Sequence, residues 1–376
     1  MLLNPRTGRI VIAVVLVLVS LNAVVAQEAT LEPLAPTGYL FTEPDVCAYV
    51  PGQPTSADCL ALMAESPRPE LENINQDRST LDLYSFWQVG PDAVNKYDAP
   101  GGGVTGQIPA GYNFVNAIDV SVDGWLKIEG GEWISREQAN ARYAEPSFFT
   151  GVAIPEDWTQ TFAWVLDTTG IYASVEPGGP GVAESGYLTK RYDLVTVFAE
   201  AYDNEGWRWY MIGPNQWLKQ TFVAKVKPVE RPEGVTGRWV GVDLYEQTLV
   251  AYEDDRPAFA TLIASGVKEF PTNEGLFSIW AKMPRDAMSG GTGAPSAYAL
   301  QSVPWTMYFD GSISLHGTYW HNLFGYRHSH GCVNLSISDA RFVFDWTAGA
   351  QPNLNGDIIN YVYVYSSGEY GTPPGT

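Results

Sequence analysis

Residues 316–334 read HGTYWHNLFGYRHSHGCVN. The chain of 376 residues contains four histidines, and all of them lie in this stretch: His316, His321, His328 and His330. One of the three cysteines, Cys332, follows two positions after the last histidine. Because the remainder of the chain has no histidine, this concentration indicates a chemical role for the stretch.

Three interpretations of the stretch compete. Histidine and cysteine are zinc ligands, but the stretch contains no C-x-x-C or H-E-x-x-H spacing, so neither a metal site nor a cofactor is expected. In the second interpretation, Cys332 and the histidines are buried groups without a chemical role. The third and favoured interpretation is a Cys–His nucleophilic site, in which an imidazole takes the proton of a thiol whose ordinary pKa is about 8.5.

The spacing within the stretch agrees with a nucleophilic site. His316 ends the strand-like run SISLH, and Cys332 follows the turn SHG. The residues between them are enough for one strand to return beside another. Gly331 lacks a side chain that could obstruct backbone N–H groups, which would then be available to an oxyanion.

The N-terminus has the features of an export signal. Arg6 and Arg9 precede an apolar run at 10–21, and small residues at 23–26 offer a cleavage site. The run is shorter than the ~20 residues of a membrane span. Residues 1–26 are therefore predicted to be a signal peptide, with an uncleaved membrane anchor as the alternative. The protein is expected to be exported to the cell envelope, either periplasmic or associated with the cell wall.

The chain is acidic, with 42 Asp and Glu residues against 22 Lys and Arg residues and a formal net charge of −20. Such a charge repels phosphate backbones, so nucleic acid is not an expected partner. Residues 27–93 form an acidic, Pro-rich segment in which Cys47 and Cys59 lie 12 positions apart. In an oxidising compartment these two are predicted to form a disulfide, which leaves Cys332 as a free thiol.

A weak internal repeat lies in the middle of the chain. Trp125 and Trp133 are eight residues apart with a turn region between strand-like runs, and Trp209 and Trp217 repeat the arrangement. The pattern resembles bacterial SH3-like domains, which in exported proteins often bind cell-wall peptide or glycan. Residues 94–140 and 141–228 are predicted to be two small SH3-like β-barrels, although their tryptophans also fit an ordinary core.

Residues 232–366 are predicted to form a mostly β domain, followed by a disordered tail at 367–376. WVGVDLYEQTLVAYEDDRPAFATLIAS alternates apolar and polar residues around the DDRP turn, as a β-hairpin does. Further strand-like runs are FSIWAK, PWTMYF, SISLHG and INYVYVY. One helix is predicted at 338–346, with Ser336 as its N-cap and Asp339 in capping-box spacing.

At this point the sequence resembles the L,D-transpeptidase family, whose catalytic domain is of the YkuD type. The similarity covers residues 236–365, and its specific part is the frame His316-Gly-x3-His321-x2-Phe-Gly-x3-Ser329-His330-Gly331-Cys332-Val-Asn334. The resemblance implies a β-sandwich-like catalytic domain that acts on peptidoglycan stem peptides. One departure is Thr272-Asn-Glu-Gly275-Leu-Phe277, where family members often have a proline after the threonine.

The resemblance also implies the role of each residue in the frame. Cys332 would be the nucleophile and His316 the general base and later acid, with a backbone carbonyl orienting its ring because Gly317 has no side chain. The remaining residues of the frame would shape or support the site: Gly331 with Cys332 as amide donors to the oxyanion, His330 and Ser329 in the turn, and Asn334, His321 and Gly317 as supporting residues. Four more residues are candidates for the cleft: Trp320, Tyr319, Met288 and Arg285.

The sequence therefore predicts an exported cysteine L,D-transpeptidase that cross-links third residues of stem peptides and organises the cell wall. Its expected partners are stem peptides, the wall through the SH3-like modules, and a carbapenem β-lactam as covalent inhibitor. Two alternatives stay open: hydrolysis by an L,D-carboxypeptidase or endopeptidase, and a non-catalytic wall-binding protein.

Overall fold

The computed structural model describes residues 41–291, 294, 296–349 and 359–368. The predicted signal peptide, residues 27–40 of the acidic segment and residues 369–376 of the predicted tail lie outside these ranges. The described residues all fall within one unit, Pro36–Thr376.

The described residues contain three α-helices: α1 Ala57–Glu65, α2 Arg78–Leu81 and α3 Ile337–Ala348. None of them is long and apolar enough to cross a membrane. Helix α3 extends the predicted range by one residue at its start and two at its end. It begins as expected at Ser336, whose Oγ accepts the Asp339 N–H at 3.1 Å.

A disulfide joins Cys47 to Cys59 in the segment before the first strands. Cys47 ends a short 3₁₀ turn and Cys59 lies in the first turn of α1. Both half-cystines are buried in a cluster with Trp217, whose ring centroid lies 4.9 Å from that of Tyr49. The disulfide therefore closes a loop within this segment, and packing against Trp217 connects the segment to the second tryptophan hairpin.

The first group of strands comprises β1 Phe86–Val89, β2 Val94–Tyr97, β3 Val104–Ile108, β4 Tyr112–Asp119, β5 Trp125–Ile128, β6 Trp133–Ser135 and β7 Arg142–Tyr143. Strand β4 pairs with β1 and β5, and β1 also pairs with β7. The hairpin predicted between Trp125 and Trp133 is β5–β6. Strand β1 precedes residue 94, the predicted start of the first module.

The second group comprises β8 Val152–Ala153, β9 Phe162–Val165, β10 Leu194–Thr196, β11 Ala199–Tyr202, β12 Arg208–Gly213, β13 Gln216–Lys219 and β14 Val223–Lys225. Strands β9–β14 form two three-stranded sheets, in the orders β10-β9-β14 and β11-β12-β13. The second predicted hairpin, between Trp209 and Trp217, is β12–β13. Among the described residues no sheet closes into a barrel, so the SH3-like assignment of both groups stays a prediction.

The third group comprises β15 Arg238–Asp243, β16 Thr248–Glu253, β17 Arg256–Leu262, β18 Gly275–Ser278, β19 Ala281–Gly290, β20 Tyr298–Asp310, β21 Ile313–Gly317, β22 Val333–Leu335 and β23 Tyr361–Tyr365. The hairpin expected around the DDRP turn is β16–β17. One sheet has the order β18-β23-β15-β16-β17-β8, and β19 to β22 belong to a second sheet. Apolar residues of both sheets and of α3 share one core, which makes this domain sandwich-like and mostly β.

Strand β20 connects the third group with the first. Its N-terminal end pairs in parallel with β4, with Tyr298 opposite Tyr112 and Leu300 opposite Phe114. This pairing merges the two groups into one 11-stranded sheet. The hairpin β19–β20 is thereby hydrogen-bonded to one strand, β4, that lies almost 200 residues earlier in the chain.

Candidate active site

The alternation of side chains along β21 and β22 separates a core face from a polar face. The two strands pair in parallel, with Leu315 opposite Val333 and His316 opposite Asn334. Leu315 and Val333 are fully buried in the sandwich core. Since successive side chains point to opposite faces, Ser314, His316, Cys332 and Asn334 share the other face. The predicted nucleophile and base therefore lie on one surface of the sheet, at diagonal positions of neighbouring strands.

The thiol of Cys332 is half-buried and lies next to Ser314. Its Sγ is 3.7 Å from Ser314 Oγ and 3.8 Å from the Ser312 carbonyl oxygen. Burial raises the pKa of Cys332, and hydrogen bonds from the backbone N–H and hydroxyl of Ser314 act in the opposite direction. At neutral pH the side chain of Cys332 is therefore a protonated thiol.

His316 is buried, with 2% of its surface exposed. Its Nδ1 lies 3.2 Å from the Gly317 carbonyl oxygen, so that Nδ1–H donates and Nε2 is left as the basic nitrogen. Burial lowers the pKa of His316 to about 4, and the hydrogen bond to Gly317 acts in the opposite direction. The orienting carbonyl, which the sequence could not identify, belongs to the adjacent residue.

The turn that carries Cys332 is held by side-chain hydrogen bonds. Ser329 Oγ donates to the Cys332 carbonyl oxygen at 2.5 Å and accepts the Gly331 N–H at 3.1 Å. Thr272 Oγ1 donates to the Gly331 carbonyl oxygen at 2.7 Å. Gly331 has a φ of +114°, a conformation that residues with a Cβ rarely adopt. The resting Gly331 N–H is thus occupied by Ser329, and it would have to leave this partner to bind an oxyanion.

The other three histidines contact residues other than Cys332. His321 Nε2 lies 2.8 Å from Asn334 Nδ2, and burial, with smaller effects of His328, His316 and Arg191, lowers its pKa to about 3. The exposed His328 packs its ring 4.5 Å from that of His321. His330 lies 4.7 Å from the Phe270 ring and 5.5 Å from that of Tyr298. His321 is thus held by a polar contact with Asn334, whereas His328 and His330 pack against neighbouring rings.

Three site residues were not found by the sequence reasoning: Ser314, Tyr298 and Tyr308. Burial raises the pKa of Tyr298, and the nearby Cys332 raises it further. Tyr308 also interacts with Cys332, and its hydroxyl donates to Asp286 at 2.8 Å. Ser314 had a signal in the sequence, since it lies two residues before His316 and a strand places alternate residues on one face.

We call residues 318–331, between the two strands of the pair, the site loop, and it is supported by earlier segments of the chain. Tyr319 stacks on Phe86 of β1 with ring centroids 3.8 Å apart. Asn322 offers its carbonyl oxygen to Arg191 and to Tyr192, both at 2.5 Å. Gly325 lies so close to Leu166 that a Cβ would be 2.3 Å from its side chain. The position of the loop therefore depends on segments outside the third group of strands.

The candidate cleft residues occupy different places. The Trp320 ring lies 5.5 Å from the ring of His316. Tyr319 is buried, its ring lies 4.9 Å from the Trp320 ring, and its hydroxyl donates to the Gln301 carbonyl oxygen at 2.6 Å. Met288 packs with the same aromatic cluster, and Arg285 lies over the Tyr84 ring at 5.0 Å. In the part of the chain that the structure describes, no three His, Cys, Asp or Glu side chains form a metal-ligand group.

The pKa values predict the pH dependence of Cys332 acylation. His316 is unprotonated above about pH 4, and the thiol stays protonated to above its ordinary pKa. The rate of acylation by a β-lactam should therefore be constant from about pH 5 to 8 and fall about tenfold for each pH unit below 4. Stopped-flow measurements, with circular dichroism at each pH as the control, test this. An inflection between pH 6 and 7 would show that the base titrates as an ordinary histidine.

Comparison with known families assigns the third group of strands. Residues 237–373 match the model of the YkuD family, the L,D-transpeptidase catalytic domain, and this region contains the whole 316–334 stretch. These residues therefore form a domain of that family. No curated protein matches the chain.

Several solved structures are similar to part of the chain. An L,D-transpeptidase from Stackebrandtia nassauensis is 27% identical over 39% of this chain and 60% of its own, with a TM-score of 0.27. An L,D-transpeptidase from Mycobacterium smegmatis is 20% identical over 44% of this chain and 80% of its own, with a TM-score of 0.31. The catalytic domain of the E. faecium L,D-transpeptidase is 24% identical over 35% of this chain and 99% of its own, with a TM-score of 0.29. This chain thus spans 60% of the first of these structures.

Proposed function

We propose that this protein is an exported peptidoglycan L,D-transpeptidase that joins third residues of stem peptides through a cysteine acyl-enzyme. The observation that carries the proposal is the placement of Cys332 and His316 on one polar face, within a domain that matches the L,D-transpeptidase family. Ser314 and Ser329 support it, because they hold the thiol and its turn in a single arrangement.

The first step transfers an acyl group to the thiol. Cys332 Sγ attacks the carbonyl carbon of the third stem residue while its proton passes to His316 Nε2. The bond from this carbonyl carbon to the nitrogen of the terminal D-alanine then breaks, and His316 returns the proton to the leaving amine. The products are a thioester and free D-alanine. We assign the Cys332 backbone N–H to the oxyanion, joined by the Gly331 N–H once it releases Ser329.

The second step transfers the acyl group to an amine. The side-chain amine of a second stem attacks the thioester carbon and loses a proton to His316. The carbon–sulfur bond breaks, the sulfur regains a proton, and an amide links the two stems. The step consumes no oxidant, metal or cofactor. A neutral imidazole of low pKa suits both steps because it is unprotonated when each nucleophile arrives.

The location and partners of the protein follow from the same proposal. The N-terminal 26 residues serve as the export signal, and the Cys47–Cys59 disulfide suits an oxidising envelope compartment. The two tryptophan hairpins belong to SH3-like modules that bind the wall. A carbapenem, whose strained amide mimics the donor carbonyl, acylates Cys332 as an inhibitor.

Mass spectrometry of the protein incubated with a purified tetrapeptide stem tests the proposal. The expected spectra contain a Cys332 adduct that corresponds to the stem without D-alanine, followed by a product in which two stems are joined. A tripeptide product without a joined product would show hydrolysis in place of transfer. If neither product forms and Cys332 stays unmodified, the enzymatic proposal is wrong.

A further inference from the structure

A groove of about 480 Å³ lies beside the active site, between the first group of strands and the site loop. Residues 143–148, which begin at the last residue of β7, line one side of it. Residues 319–322 of the site loop line the other side. The groove is thus built partly from residues outside the 237–373 family domain, so the family match says nothing about it.

The walls of the groove are held in place. Tyr143 belongs to β7, which pairs with β1 through Trp87, and the Phe86 ring of β1 stacks on Tyr319. Tyr112 of β4 donates its hydroxyl to the Trp320 carbonyl oxygen at 3.4 Å. The groove is therefore a formed feature with contacts on both sides, because its two walls are joined by stacking and by a hydrogen bond.

The lining of the groove combines exposed aromatic rings with a carboxylate. Tyr143 and Phe148 are 53% and 50% exposed, so both rings present apolar surface to solvent. Glu145 lies between them in the sequence, is exposed, and has no ion-pair partner among the described residues. Rings that flank an unpaired carboxylate suit an extended peptide with a primary amine, since the rings pack against its methylenes and the carboxylate attracts the ammonium group.

Only the Trp320 ring separates the groove from His316, the proposed general base. Trp320 lines it, and the Trp320 ring lies 5.5 Å from the His316 ring. In the proposed second step, the incoming amine must meet the thioester near His316, which takes its proton. An acceptor held in the groove would approach from the side of the base.

We propose that this groove binds the acceptor stem, with Glu145 attracting its side-chain amine and Tyr143 and Phe148 packing along its chain. The assignment rests on the proposed transpeptidase function and adds that the strands before the catalytic domain supply the acceptor site. The ammonium group leaves the carboxylate and releases one proton to solvent, and the neutral amine then attacks the thioester carbon and passes a second proton to His316. The groove thereby selects the acceptor without taking part in acylation.

The dependence of the transfer rate on acceptor concentration tests the groove. The transfer rate of each variant is divided by the rate at which its own Cys332 is acylated. Glu145→Gln should raise the acceptor KM about two- to fivefold, as expected for one exposed ion pair, and Glu145→Lys about tenfold through like-charge repulsion. The kcat of transfer should change less than twofold. Glu137→Gln is the matched control, because Glu137 is an exposed acid of the same strand group outside the groove and should keep the parent KM.

A binding measurement separates the groove from the proposed function. With the unreactive Cys332→Ala protein, a tripeptide stem with a free side-chain amine should bind more tightly than its N-acetylated form, and Glu145→Gln should abolish the difference. Equal binding of the two peptides, or an unchanged KM in both Glu145 variants, would overturn the groove assignment. If a neutral glycan fragment is bound instead and loses affinity with Tyr143→Ala, the groove is a sugar site. If the parent protein is acylated but transfers no acyl group, the transpeptidase function is wrong. The binding comparison of the two peptides then decides the groove assignment by itself.

Discussion

Replacing His316 with alanine should slow the acylation of Cys332 by about 10²- to 10⁴-fold, the usual contribution of a general base. The thiol has a raised pKa and hydrogen-bonds Ser314 rather than an anion-stabilising cation, so little thiolate is present without a base. The measurement is the second-order rate of acylation by a carbapenem, followed by mass spectrometry at pH 7. Added imidazole should restore part of the rate, because the vacated space can admit it.

The His328→Ala variant is the matched control for this experiment. His328 lies in the same site loop and loses the same atoms, yet it is exposed and bonds Ser265 only through its backbone N–H. It should acylate at the parent rate. Thermal unfolding of both variants separates a chemical loss from a structural one, since His316 is buried. If His316→Ala acylates at the parent rate while His321→Ala does not, the base has been misassigned.

The placement of Cys332 and His316 on one face of the sheet could be predicted because it depends on local rules. Alternation along SISLHG and along CVNL places Leu315 and Val333 in the core, and this puts His316 and Cys332 on the opposite face. The N-cap at Ser336 was equally predictable, because a serine three residues before an aspartate is a local signature. In each case the decisive residues are near one another in the sequence.

The supports of the site could not be predicted because they come from distant segments. Thr272 reaches the Gly331 carbonyl across 59 positions, and Phe86 stacks on Tyr319 across more than 200. The pairing of β4 with β20 involves no turn or motif that would reveal it. Such contacts depend on tertiary packing, which the period of a single strand does not encode.

The hydrogen-bond partner of the Gly331 N–H could not be predicted from the motif. A glycine before the nucleophile indicated a free Gly331 N–H, and the conformation at φ +114° does need glycine. The N–H is nevertheless donated to Ser329 Oγ, a bond that only the folded turn creates. The glycine therefore supplies the shape of the turn in the resting protein, and its role as a donor requires a rearrangement.

Replacing Cys332 with alanine should remove all covalent labelling, and Cys332→Ser should be almost as inactive, with a loss of about 10⁴-fold or more. A hydroxyl is a far weaker acid than a thiol, and a His316 with a pKa of about 4 is too weak a base to activate it. Both variants should stay folded, because the thiol is half-buried and its nearest polar partners, Ser314 and Ser312, lie at 3.7 and 3.8 Å.

Ser314 provides the sharpest control on this prediction, because its hydroxyl is the other candidate nucleophile on the polar face. Ser314→Ala should keep labelling at Cys332 and slow it by no more than about tenfold, since only one hydrogen bond to the thiol is lost. Peptide mapping of the labelled parent protein should find the adduct on Cys332 alone. An adduct on Ser314 in the Cys332→Ala protein, formed at a rate near that of the parent, would make Ser314 the nucleophile and Cys332 its neighbour.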